Sequence, residues 1–217
     1  MGKIKLDIMD INMKKLLLAV VCLQFTLTGL RAGLLQMVNV SSPQFNCLFN
    51  TNCTLTPTDT TSTIYFDGAT GLPGLLTTRT WPGDAGTTLG GTFAYGYHID
   101  ISRVNSAGSN SFIDTLKVPV ASLVPFAYAG SMSNMVWVET NSAGTVAPVS
   151  AIQIGNNVTF HFNPPIHTAG PGVKGQATFY FGMVSTLPPT NCLATITGQQ
   201  ASPAPLNTNL WARSSHF

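Results

Sequence analysis

Ala151-Ile-Gln-Ile-Gly-Asn-Asn-Val-Thr-Phe-His-Phe162 decides the fold of this chain. In an extended backbone, successive side chains point to opposite faces, so Val158, Phe160 and Phe162 share one side and Thr159 and His161 the other. Ala151-Ile-Gln-Ile154 precedes them as a second extended run. Between the two lies Gly155-Asn156-Asn157, whose residue types accept the positive φ that a tight hairpin turn requires. The stretch predicts two antiparallel strands with an apolar face turned to a core.

The same period of two recurs outward from this hairpin. Phe93, Tyr95, Tyr97, Ile99 and Ile101 alternate with small or polar residues. Phe112, Leu116, Val118 and Val120 line one face of a further run, with Asp114 as the exception. Met135 to Glu139 is a short apolar strand, Ala177, Phe179, Phe181 and Met183 mark another, and Leu193 to Thr197 a last one. Thr63 to Phe66 and a weaker run from Leu75 to Thr80 bring the expectation to about eight strands, and no stretch after residue 35 has a helical apolar stripe. The fold class expected is all-β, a single antiparallel β-sandwich over residues 61–198. Its core should hold Phe93, Tyr95, Ile99, Phe160, Phe162, Phe179 and Phe181. Residues 33–60, rich in Ser, Asn, Thr and Pro, read as an irregular lead-in, and residues 199–217, with Pro203 and Pro205, as a flexible tail. The tetrapeptide Asn-Ser-Ala-Gly at 105–108 and again at 141–144 is turn chemistry between strands.

Charge separates the start of the chain from the rest. Lys3, Lys5, Lys14, Lys15 and Arg31 precede residue 33, which leaves five basic and six acidic groups in residues 33–217. No basic patch remains to neutralise phosphates, which excludes ordinary nucleic-acid binding. Met13-Lys14-Lys15, the apolar stretch Leu16 to Leu30 and the small residue Ala32 together have the form of a secretory signal peptide over residues 1–32, with Met13 as an alternative start. The apolar stretch is too short to span a bilayer, and Gln24, Thr26 and Thr28 dilute it, so no stable membrane insertion is expected after cleavage. Lipidation at Cys22 is disfavoured by the bulk of Val21 before it.

An exported chain keeps disulfides. Cys47 and Cys53 bound a short loop whose ends can meet, and their pairing is favoured over a bridge from either one to Cys192. Cys192 is then left odd, buried or open to an intermolecular bond.

Catalytic patterns are thin. His98 and Asp100 are two apart on one strand face, a spacing that suits a base with its orienter but also two solvated residues. His161 and His167 flank Asn163-Pro164-Pro165 without a third ligand, so no metal site is assigned. The chain has no Gly-x-Ser-x-Gly elbow, Gly83 to Gly91 lacks the Lys of a phosphate loop, and Asp67, Asp84, Asp100, Asp114 and Glu139 are scattered singly. No catalytic residue and no cofactor is therefore expected. Among the aromatic residues, Tyr95, Tyr97 and Trp137 fall in inward-facing runs, and Trp81, in Arg79-Thr-Trp-Pro-Gly-Asp84, is the candidate for stacking on a ligand such as a sugar. The glycosylation triplets at Asn39, Asn52 and Asn157 matter only in a host that uses them.

Phe112-Ile-Asp-Thr-Leu-Lys-Val-Pro-Val120, Val146-Ala-Pro-Val-Ser-Ala151, Val158-Thr-Phe-His-Phe-Asn-Pro-Pro165 and Phe179-Tyr-Phe-Gly-Met-Val-Ser185 resemble exported bacterial proteins of the Pro-Glu-Pro C-terminal sorting-signal (PEP-CTERM) class. The resemblance covers roughly residues 90–198 and rests on strand and turn phrases. It implies a secreted, surface-associated β-sandwich of bacterial origin. Residues 199–217 carry no Pro-Glu-Pro motif, apolar helix or basic cluster, so the sorting anchor of that class is not expected.

The function expected is that of a secreted surface or extracellular-matrix structural or adhesion protein without catalysis. It would act through self-association or through extracellular protein or polysaccharide partners. Near-balanced charge gives copies little mutual repulsion, and sheet edges offer places for strand addition. A carbohydrate-binding module using Trp81 is the first alternative, and an extracellular hydrolase the second.

Overall fold

The computed structural model describes residues 32–106, 111–200 and 205–215. All but the last residue of the expected leader lies outside them, as does His216. Two six-stranded sheets carry the fold. Sheet 1 runs β1 (Gly33–Leu34), β12 (Ser150–Ile154), β13 (Asn157–His167), β8 (Phe112–Pro119), β15 (Thr190–Gln199), β16 (Pro205–Ser214). Sheet 2 runs β2 (Met37–Val40), β11 (Val136–Glu139), β14 (Tyr180–Ser185), β6 (Phe93–Asp100), β5 (Gly74–Pro82), β3 (Thr58–Ile64). Two small ribbons, β4 (Thr70–Gly71) with β7 (Val104–Asn105) and β9 (Phe126–Tyr128) with β10 (Ser131–Asn134), complete the set of strands among the described residues. Among the described strands the ladders are antiparallel except that of β2 with β11, and isolated parallel bridges join Asn105 to Ala169 and Val146 to Thr178. Among the described residues no helix is long and apolar enough to cross a membrane.

The core forms where the inward faces meet. Phe160 of sheet 1 packs edge-on against Phe181 of sheet 2 at 4.8 Å, Tyr97 stands 6.1 Å from each, and Phe162 lies 5.6 Å from Phe181. Tyr95, Ile99, Phe160, Phe162 and Phe181 are buried, and Phe93 and Phe179 pack partly buried against them. The β12–β13 hairpin pairs Ile154 with Asn157 across Gly155-Asn156. Gly155 has φ +55°, which suits glycine at the first central position of a two-residue turn.

The ends of the chain correct the expected boundaries. Residues 33–60 are not an irregular lead-in throughout. Gly33 and Leu34 pair with Gln153 and Ile152 in sheet 1, Leu35 turns into the core, and Met37–Val40 then pair with Val136–Glu139 in sheet 2. One short segment thus serves an edge of each sheet. The expected flexible tail is a ten-residue strand, β16, paired with β15 from Pro205 opposite Gln199 to Ser214 opposite Thr190. Its inward side, Leu206, Leu210 and Ala212, is buried, while Asn207, Asn209 and Trp211 are exposed. The apolar half of that alternation is sparse and Pro205 stands at its first residue, the position that least disturbs a ladder.

At this side the sheets touch: the Ser62 hydroxyl of β3 donates to the Trp211 carbonyl of β16 at 2.6 Å, and the Tyr97 hydroxyl donates to the Arg213 carbonyl at 3.2 Å.

Two substitutions and one truncation test this packing. Phe160→Ala or Phe181→Ala should each cost about 3–5 kcal/mol in urea denaturation. Ending the chain after Gln200 should lower the unfolding midpoint sharply, since it uncovers the β15 side of the core. An unchanged midpoint would restore the tail reading.

Candidate functional site

Trp81 is not available for stacking. It lies on the outer side of β5, yet only 5% of it is exposed, because the segment after β2 folds over that end of sheet 2. The segment carries a 3-10 turn at Asn46–Leu48 and is closed by the Cys47–Cys53 disulfide. Phe45 and Phe49 flank the turn. Phe49 meets Trp81 edge-on at 5.7 Å, Phe45 lies 5.1 Å from Trp137, and the two indoles are 5.7 Å apart. Trp137 reaches across two neighbouring strands, since a Cβ at either Gly96 or Gly182 would lie 2.8 Å from its ring. Those glycines leave the bed on which the indole rests. The result is a second small core outside the main one, held down by Leu89 N–H to the Leu48 carbonyl and Asp84 N–H to the Phe49 carbonyl.

Beside this lid is a cleft of about 270 Å³ lined by Ser42, Phe45, Arg79, Trp81 and Glu139 among others. Its charged groups are already engaged, whereas the buried Trp81 indole N–H has no hydrogen-bond partner among the described residues. Arg79 forks onto Asp59 with two contacts of 2.9 Å and stacks 4.3 Å over Tyr180, and the Asp59 hydrogen bond holds its guanidinium more firmly charged. Glu139 accepts from the Ser42 hydroxyl. His98 stacks on Tyr180 at 4.9 Å, and burial lowers its pKa, so the neutral imidazole is favoured. Asp100 shares the face of His98 but accepts from the Ser102 N–H and hydroxyl at 2.9 and 2.6 Å. The expected spacing is present without a base–orienter hydrogen bond.

The other candidates separate as well. His161 stands opposite Thr115 and Ser150, whereas His167 rests edge-on against Phe112 at 5.7 Å beyond a register shift. Among the described residues no three His, Cys, Asp or Glu side chains come together as metal ligands. Cys192 points into the core, and burial pushes its thiol up to about 11, so it is neither an activated nucleophile nor a lock between copies.

Two aromatic side chains stand exposed among the described residues, Tyr65 just after β3 and Trp211 on the outer face of sheet 1, where sequence reasoning placed a tail. Trp211 is 64% exposed, and Leu193, directly opposite on β15, is 50% exposed. Around this pair the face is built of amides and hydroxyls. Thr195 faces Asn209, Lys117 faces both Thr195 and Thr159, and Thr197 faces Asn207. The Thr195 hydroxyl donates to the Asn209 side-chain carbonyl at 2.8 Å, which leaves the Asn209 NH2 group unpartnered among the described residues. The charges on this face are Lys117, Arg213 and Asp114, and Asp114 accepts from the Thr197 hydroxyl at 2.9 Å. The alternation Asn207, Asn209, Trp211, Arg213 is the signal that could have located this face.

No protein family, curated protein or solved structure matches this chain.

The two tryptophans should separate cleanly in stability measurements. Trp81→Ala should cost about 3–5 kcal/mol and Trp211→Ala under about 1 kcal/mol. The Cys192 thiol, protonated well past neutrality, should resist iodoacetamide at pH 8 in the folded protein and react promptly in guanidinium. Ready labelling of the native state would place it at the surface.

Proposed function

We propose that this chain is a secreted, non-catalytic contact protein of the cell surface or extracellular matrix, acting through the outer face of sheet 1. The observation that carries the reading is the exposed Trp211–Leu193 pair on a strand face of hydroxyls and amides. Contact through a face suits the rest of the molecule better than strand addition at an edge. The segment from Gly33 to Val40 lies along β12 and β11, and Ser62 caps the β16 carbonyl at Trp211. The leader-like residues 1–32, the disulfide and the resemblance to exported bacterial proteins support the extracellular setting.

The test is a comparison of the exported wild-type protein with Trp211→Ala on surfaces coated with extracellular proteins or polysaccharides, alongside sedimentation at rising concentration. Adhesion or self-association that falls several-fold in the variant is expected. Turnover of chromogenic esters or glycosides above background would refute the non-catalytic reading, and a protein that neither adheres nor associates would refute the contact reading.

A further inference from the structure

We infer that the face around Trp211 is a glycan platform for a polysaccharide bearing carboxylate groups; this rests on the contact reading above and names its ligand. Three observations converge on that chemistry. First, the aromatic surface is a lone indole with one aliphatic neighbour, set in hydroxyl and amide groups. A protein–protein contact of ordinary size needs a wider apolar centre, whereas a sugar ring offers an apolar C–H face to an indole and hydroxyls to the groups at its rim. The unpartnered Asn209 NH2 is one such rim donor.

Second, the platform is held in place before any ligand arrives. Trp211 stands on a strand paired along its whole length, its own carbonyl is fixed by Ser62, and Leu193 flanks it from β15. Little ordering remains to be done on binding.

Third, charge distinguishes this face from the opposite one. Arg213 is two residues from Trp211 on the same side of β16, about 7 Å along the strand. Lys117 lies two strands in, level with Asn209 and so about 12 Å from Trp211 on the side away from Arg213. Neither has an ion-pair partner among the described residues, and the one carboxylate on the face, Asp114, accepts from the Thr197 hydroxyl and leaves the face with net positive charge. The outer face of sheet 2 instead carries Asp59, Asp100 and Glu139 against Arg79, which Asp59 already holds. An acidic chain laid over Trp211 meets two free cations on sheet 1 and net negative charge on sheet 2. The field therefore favours the face that also carries the aromatic group.

Isothermal titration of the exported protein with polygalacturonate, hydroxyethylcellulose and polyglutamate tests this. Polygalacturonate should bind best and weaken as salt screens the pairs. Trp211→Ala should weaken it about tenfold or more, and Lys117→Gln with Arg213→Gln by a similar factor, with all thermal midpoints close to wild type for these exposed or half-exposed positions. Equal binding of hydroxyethylcellulose would overturn the acidic assignment, and equal binding of polyglutamate would reduce the site to charge alone and overturn the glycan assignment. Trp211-dependent self-association without glycan uptake would overturn the inference and leave the contact reading standing. Contacts of every kind unchanged by Trp211→Ala would overturn both.

Discussion

A pair of open sheets has four edges, and each edge is a row of unpaired N–H and C=O groups that invites another chain. The protein meets this constraint with its two terminal segments. At one side the N-terminal segment leaves sheet 1 after Leu34, drops Leu35 into the core and joins sheet 2 at Met37. At the other side β16 extends sheet 1 until its carbonyls meet Ser62 and Tyr97 of the facing sheet. The aromatic interlock of Phe160, Phe181 and Tyr97 is sealed from both flanks by these segments. The lid over Trp81 and Trp137 covers part of one outer face.

Much of this was legible in the sequence because the central strands alternate strongly. Val158, Phe160 and Phe162 give the core face of β13 unambiguously, and Phe93 to Ile101 does the same for β6. The period fades where a strand needs few apolar groups. The inward side of β16 alternates Leu206 and Leu210 with Thr208, Ala212 and Ser214, so composition alone reads as a tail. The two-residue β1 and four-residue β2 are too short for any periodicity to show.

The ligand-stacking reading of Trp81 failed for a related reason. A tryptophan beside Pro82 and Gly83 has the local context of an exposed loop, and its cover comes from residues some thirty positions earlier, Phe45 and Phe49. Gly96 and Gly182, the bed for Trp137, carry no local signal at all, because their role lies in what crosses them. The same logic hid Trp211, whose exposure follows only once β16 is known to be a strand with an outward face.

The seating of the first strands has a consequence for the order in which the molecule can assemble. Gly33–Val40 precede the other described strands, yet their partners are Val136–Glu139 and Ile152–Gln153, more than ninety-five residues later in the chain. On the far side, β3 meets a strand that ends only at Ser214. Neither flank of the sandwich can close before the later strands have been made, and such distant pairings are slow to find one another. A chain built this way stays open on one flank until β16 has paired with β15 and met β3.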